Sequence, residues 1–436
     1  MTPTTPQRRF ALEVVELLRS AGYTAYWAGG CVRDELLGIT PKDYDVATSA
    51  RPEQVRELFG RRRTLAVGEA FGVIIVVGPR EAGNVEVATF RRDAGYSDGR
   101  RPDAVVFTDA EEDARRRDFT MNALFYDPIV GNVIDFVEGR ADIERKLVRA
   151  VGDAAVRFRE DKLRMLRGVR MASTFGFALD PATFEAIRNS AAEIGAVSPE
   201  RIAQEIRAMF GRSGQAEAAR LLMAAGLAAQ VLPEVLPLCE RKSSFATGSA
   251  WDAAVAMLAE FEKAGIRKPP LALAALLQET SADDSHGAVH AATAVLRRWR
   301  MSNEEREHVE WLVEHRRSID GAASRRWSEV QPVLAHRWGP DLVEFVAARH
   351  AVADDDDDRE RRVADLAFAR KKLAEPRAML DPPPLLTGND LVRRGLRPGK
   401  QFAVLLEKVR AAQLDGMIAT ADEAATLVAE LLKAGP

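Results

Sequence analysis

Ala28-Gly29-Gly30-Cys31-Val32-Arg33-Asp34, followed by Asp43-Tyr44-Asp45, is the stretch whose reading decides the fold of the first half of this chain. Thr24–Trp27 ahead of it reads as a short strand, and the two glycines as a tight turn. Val32–Leu37 follows as a helical turn closed by Gly38, and Tyr44–Thr48 as a second strand. Side chains alternate along a strand, so Asp43 and Asp45 point the same way, roughly 6–7 Å apart. Glycines let backbone N–H groups approach a phosphate closely.

Glu86, in the β-branched run Val85-Glu86-Val87, is a candidate third carboxylate. The six histidines all lie at or beyond position 286, so chemistry in the first half must rely on carboxylates, lysine, arginine and bound metal. Carboxylates without histidine suit Mg²⁺, which takes oxygen ligands and keeps waters and substrate phosphates. The combination predicts metal-assisted nucleotidyl transfer, with Asp43 and Asp45 as metal ligands and Glu86 as a catalytic candidate.

The bulk numbers frame this reading. The chain has 436 residues, 47% hydrophobic and 29% charged, as expected of a globular protein of several domains. No 18-residue apolar run and no leader pattern is visible, and Cys31 and Cys239 are the only cysteines. These features predict a cytoplasmic protein without membrane contact or a disulfide scaffold. The net charge of -3 does not announce nucleic-acid binding, but basic clusters do occur, at Arg61–Arg63, Arg115–Arg117 and from Arg157 to Arg170.

Residues 1–138 mix helix and strand: helices over Arg8–Ser20 and Pro52–Phe59, and a hairpin of Phe71–Val77 with Val85–Phe90. From about 139 helical spacing dominates to the end. The predicted fold class is α+β, a nucleotidyltransferase head with a small mixed sheet followed by helices. The expected divisions are a head over 1–138, a neck over 139–210, a body over 211–380 and a tail over 381–436, entered through Asp381-Pro382-Pro383-Pro384.

With these residues in view, Gly29 to Asp34 followed by Asp43-Tyr44-Asp45 resembles the first signature of the class II tRNA nucleotidyltransferases, the CCA-adding enzymes and bacterial poly(A) polymerases. Arg116-Arg117-Asp118-Phe119-Thr120-Met121-Asn122-Ala123 resembles the family's second motif, Glu160-Asp161-Lys162-Leu163-Arg164 the next, and Ser198-Pro199-Glu200-Arg201-Ile202 the one after. The resemblance covers about residues 28–205. It implies addition of CMP and AMP from CTP and ATP to a tRNA 3′ end, without a nucleic-acid template. It also implies nucleotide binding by Gly29, Gly30, Arg33, Arg117, Asp118 and Asn122, with Asp118 accepting from the ribose 2′-OH.

Asp161 and Arg164, three apart, would share a helix face. Cytosine and adenine each offer an exocyclic amine beside a ring-nitrogen acceptor. A carboxylate can take the amine and a guanidinium can give to the ring nitrogen. The resemblance assigns this pair the template role; Arg167 and Arg170, in the same basic set, join it as nucleotide-binding candidates. An ordinary surface ion pair is the plain alternative.

The polar stretch Arg91–Asp103 reads as a mobile loop, which in this family accompanies the switch from C to A addition. Poly(A) polymerases carry a Gly-Arg-Arg-Phe-type stretch; here there is only Arg61-Arg62-Arg63-Thr64 and then Gly68-Glu69-Ala70-Phe71-Gly72. Relatives with a histidine–aspartate phosphohydrolase domain differ in the second half, where Ala253 and Gln278 replace the histidines. His286 and His290 could chelate zinc, but no third ligand is evident. Cys31 lacks a histidine to activate it. Gly395–Lys400 lacks the spacing of a phosphate loop, and Asp354–Asp358 reads as a solvated acidic loop. Three rival functions stay open: A-only addition, poly(A) synthesis, and an inactive RNA-binding protein.

Overall fold

The computed structural model describes residues 5–68, 71–94, 104–281, 285–354, 358–397 and 399–434. The chain divides into two compact units, Met1–Pro233 and Glu234–Pro436. The first unit runs past residue 210 because the helix Gln215–Ala224 packs on the helix Leu163–Phe175.

The head is built on a seven-stranded sheet. Its strands are β1 (Ala25–Ala28), β2 (Asp45–Thr48), β3 (Thr64–Gly68), β4 (Val73–Val77), β5 (Asn84–Thr89), and two more at residues 125–127 and 132–134. The order is β3-β4-β5-β2-β1, continued by Phe125–Asp127 and Asn132–Ile134. β2 and β5 run parallel, while the other neighbours are antiparallel.

The two faces of this sheet differ in chemistry. Trp27, Val46 and Val87 are buried on one face, where helix Pro6–Ser20 covers them with Phe10, Val14 and Leu18. Arg8 lies over the Trp27 ring, 4.9 Å from its centroid. The other face carries Ala28, Ala47 and Ala88, whose small side chains leave room for a cleft between the strands and the segments that follow.

The predicted β1, glycine turn, helix and β2 are all present, with small shifts of boundary. β2 begins at Asp45, one residue later than expected, and Asp43 lies in the chain leading into it. The alternation nonetheless extends back to Asp43: Asp43 and Asp45 are exposed, while Tyr44 between them is 2% exposed and packs edge-on to Trp27. The β4–β5 hairpin and the helix Pro52–Phe59 stand where the spacing puts them.

The stretch read as a loop from Arg91 is partly strand. β6 (Arg91–Ala94) pairs with β7 (Ala104–Phe107), and residues 95–103 lie outside the described residues. Among the described residues beyond 139, the strands are one short parallel pair, Leu147–Val148 with Ala178–Leu179, and the other regular elements are helices.

Among the described residues of the second unit, the regular elements are helices. Pro269–Leu277 is its most deeply buried helix. Ala253 and Ala254 are buried, Gln278 donates to the Met257 sulfur, and Glu279 accepts from the Ser243 hydroxyl and the Ser244 amide. Asp381, in the proline-rich connection, accepts from Gln331 and Arg410 and so ties that segment to helices on either side of it. The tail has an apolar cluster of its own, including Leu391, Leu405, Val409 and Val428. Within Asp354–Asp358, residues 355–357 lie outside the described residues, as does 398 in the Gly395–Lys400 stretch. No helix among the described residues is long and apolar enough to cross a membrane.

Candidate active site

The register of the sheet builds the site. Asp45 is the cross-strand partner of Ala28, the last residue of β1, so its carboxylate stands where the chain enters the glycine turn. Val46 pairs with Val87 across the parallel β2–β5 contact, which sets Asp45 beside Glu86. Asp45, Ala47, Glu86, Ala88, Gly29 and Gly30 therefore line one cleft of about 540 Å³.

Gly29 turns the chain with φ of 73°, in the left-handed region. A Cβ added there would stand 2.9 Å from Nη1 of Arg117. Glycine thus serves two purposes at this position: it permits the turn and lets a guanidinium approach the backbone. Gly30 opens the following helix, and a Cβ there would meet only Nη2 of Arg33, at 3.6 Å.

Asp45 is open to solvent while the cleft walls crowd around it. Burial first, then the neighbouring Glu86 charge, raises its pKa to about 6 against the pull of Arg117. Asp43 adds to the same crowding but does not line the cleft itself. Among the described residues, no three histidine, cysteine, aspartate or glutamate side chains form a ready-made metal cluster. The donor set is nonetheless right for a hard divalent cation: crowded carboxylate oxygens that repel one another, with room for water and phosphate.

The opposite wall is arginine-rich. Arg91, Arg116, Arg117, Arg164 and Arg167 all line the cleft. Arg117 donates to the Asn122 carbonyl at 3.1 Å and lies 5.0 Å from the Phe125 ring centroid. Arg33 spends its guanidinium on Asp34 and on Oδ1 of Asn122, at 2.7 and 2.6 Å, so it joins the helix after the glycine turn to the second motif. Asn122 in turn donates to Asp118, 3.2 Å away.

Asp118 is 8% exposed and salt-bridged to Arg167, with Nη2 to Oδ2 at 2.7 Å. Burial raises its pKa, but the charges of Arg167 and Arg164 outweigh that and hold it at about 2. Asp118 is therefore a carboxylate at every physiological pH and can act only as an acceptor.

The third motif departs from the expected geometry. Asp161 is not on a helix; it caps Ala154–Glu160 with extended backbone, and the next helix begins at Leu163. The reason is local. Oδ1 of Asp161 accepts the Leu163 amide at 3.1 Å, so the side chain stabilises a break rather than a turn of helix. Both Asp161 and Arg164 still line the cleft.

Each of the two has a structural partner. Asp161 is gripped at both oxygens by Arg201, and Arg164 is paired with Glu160 at 2.6 Å. Arg170 lies outside the cleft lining, in a buried pair with Glu205 at 2.6 Å. Cys31 is buried, donates to the Ala28 carbonyl, and has its thiol pKa pushed up to about 12, chiefly by burial.

Three further residues lie in or beside the cleft without a role assigned by the sequence: Arg201 in the fourth motif, Arg91 in the polar stretch after β5, and Asp113 in no motif. Asp113 is a buried carboxylate in contact with Arg116 and Arg117.

The chain is similar to known proteins in sequence and in fold. Residues 25–149 match the family model described as the poly A polymerase head domain, and 176–239 that described as the probable RNA and SrmB-binding site of polymerase A. A CCA-adding enzyme of Geobacillus stearothermophilus is 45% identical over 223 residues, which is 51% of this chain and 54% of that protein. One from Lactobacillus johnsonii is 42% identical over 222 residues, again 51% and 54%. The chain thus aligns with about half the length of these curated relatives. The structure of the Bacillus stearothermophilus CCA-adding enzyme in complex with CTP superposes with a TM-score of 0.74 at 27% identity, covering 98% of both chains. The Thermotoga maritima CCA-adding enzyme complexed with tRNA shares the fold at a TM-score of 0.65 and 18% identity, over 98% of this chain and 95% of that one.

Proposed function

We propose that this chain belongs to the class II nucleotidyltransferases, the family of CCA-adding enzymes and poly(A) polymerases, and that it adds CMP and AMP stepwise to the 3′ end of tRNA to complete CCA. The observation that carries the proposal is the cleft itself. It joins the Asp45–Glu86 carboxylates, the Gly29 turn, an arginine wall and the Asp161–Arg164 pair in one cavity.

Asp43 and Asp45, with Glu86 beside them, are the residues to hold the divalent metal that this family uses, and oxygen-only donors favour Mg²⁺. Such a metal, when bound, lowers the pKa of the attacking 3′-hydroxyl and offsets phosphate charge. Arg117, with Arg91 and Arg116, faces the nucleotide's triphosphate. Asp118 accepts from the ribose 2′-OH while Arg167 holds it ionised.

Asp161 and Arg164 read the base from their anchored positions. Each carboxylate oxygen has a second lone pair, so Asp161 can accept an exocyclic amine while Arg201 keeps its orientation. Arg164 has N–H groups beyond those given to Glu160 and to the carbonyls of Arg157 and Arg116. An amine next to a ring acceptor fits this pair, as in cytosine and adenine. Uracil and guanine present the reverse.

The test is extension with Mg²⁺ of tRNA ending at the discriminator base, at C and at CC, with each nucleotide singly and with CTP and ATP together. Growth that stops at CCA supports the proposal. Extension only of the CC-ended tRNA makes this an A-adding enzyme, a long adenylate ladder makes it a poly(A) polymerase, and binding without extension makes it an RNA-binding protein.

A further inference from the structure

We infer that Asp113 is a positioning residue that sets the arginine wall of the cleft and locks it to the root of the β6–β7 hairpin. It stands outside every motif quoted above and does not line the cleft. It is 2% exposed, on the helix Ala110–Arg115, beneath the cleft arginines.

The geometry is that of a hub. Oδ2 of Asp113 accepts from Nε and Nη2 of Arg117, at 3.2 and 3.0 Å. Oδ1 accepts from Nε and Nη2 of Arg116, at 2.9 and 2.7 Å, and from the backbone amide of Arg91 at 3.3 Å. Arg116 also donates to the Arg91 carbonyl at 2.9 Å. Arg91 opens β6, and its side chain donates to the Phe71 carbonyl beside β4. One carboxylate thus fixes two guanidiniums and a strand root, all three residues lining the cleft.

Holding Arg117 matters because of what else touches it. Its remaining Nη1 lies against Gly29 and donates to the Asn122 carbonyl. A guanidinium bound at Nε, Nη1 and Nη2 has one orientation, and it is presented to the cleft ready-made. The entropy of ordering it is lost on folding rather than on substrate binding.

This inference rests on the nucleotide-binding reading of the cleft, and it predicts a sign. Asp113→Asn keeps the shape and removes one negative charge. By Coulomb's law alone, a cleft with one more net positive charge binds a triphosphate more tightly. If Asp113 acts by position, binding weakens in spite of the added positive charge.

The experiment measures kcat and KM for CTP on tRNA lacking CCA, and the equilibrium Kd of CTP without tRNA, for wild type, D113N, R117A and the double variant. D113N should raise KM and Kd about tenfold, the worth of one well-oriented charge-assisted contact, with kcat within about threefold. The double variant should be worse than R117A by less than the factor D113N costs alone, because Arg117 is one of the groups through which Asp113 acts. Equal or tighter CTP binding by D113N overturns the inference, as do effects that multiply in the double variant.

Should D113N fail to fold, R117K leaves the buried carboxylate in place and removes the planar fork. An unchanged KM and Kd in R117K then overturns the inference. A wild-type chain that binds CTP but does not extend tRNA refutes the proposed reaction while D113N still tests Asp113. A wild-type chain that does not bind CTP overturns both.

Discussion

Asp161 and Arg201 meet in a two-point ion pair, Oδ1 to Nη1 at 3.2 Å and Oδ2 to Nη2 at 2.7 Å, and it joins two of the four sequence motifs. The contact gives a carboxylate in a helix break the rigidity that helical backbone would otherwise supply. A base-reading acceptor must hold one direction, because discrimination comes from penalising the wrong hydrogen-bond pattern.

Base selection should accordingly depend on Arg201, which does not line the cleft. Arg201→Ala is expected to lower the preference for CTP over UTP by roughly tenfold or more, the worth of one good base contact. Competitive incorporation of CTP and UTP measures it. An unchanged ratio would place base selection elsewhere.

Asp45 and Glu86 crowd like charges on adjacent strands. Asp45→Asn keeps the volume and relieves the crowding, so activity and stability should part. Transfer should fall by roughly 10³-fold, several kcal/mol of lost charge stabilisation. The melting temperature in metal-free buffer should equal or exceed that of wild type. A lower melting temperature would show that the carboxylate is structural.

The two glycines of the turn should not be equivalent. Gly29→Ala faces both a positive φ and a 2.9 Å approach to Arg117, so it should cost about 1–2 kcal/mol and weaken nucleotide binding. Gly30→Ala lies in a helix with an ordinary 3.6 Å contact, and should be neutral or stabilising by up to about 1 kcal/mol. Denaturant unfolding of both variants decides the matter, and equal losses would contradict the turn geometry.

Asp118 supplies a pH signature. Its folded pKa of about 2 lies below the ordinary aspartate value, so its stabilisation is present above about pH 4. That stabilisation is lost as pH falls through 2. The linkage corresponds to about 2 kcal/mol at neutral pH. Arg167→Ala removes the main opposing charge, and its stability deficit should shrink as pH falls from 4 towards 2. A deficit independent of pH would mean that Arg167 contributes by packing alone.

The strand–turn–helix–strand unit from Ala25 to Thr48 was legible because its signals are local. Alternation puts Asp43 and Asp45 on the opposite side from Tyr44, glycine alone tolerates the φ at position 29, and Pro52 starts the next helix. The Asp161 error had a local cause too. A spacing of three suggested a shared helix face, but the aspartate side chain competes for backbone amides and broke the helix instead.

By itself the sequence determined most of the local elements, and that any chemistry in the first half must rely on carboxylates, lysine, arginine and bound metal without histidine. The tertiary structure alone decided which of them meet. Glu86 reaches Asp45 through the parallel pairing of β2 with β5, Arg201 reaches Asp161 across two helices, and Asp113 gathers arginines from a strand root and a turn. The physical reason is range. Dihedral preference and side-chain alternation act over a few residues, whereas register and buried ion pairs depend on how whole elements pack.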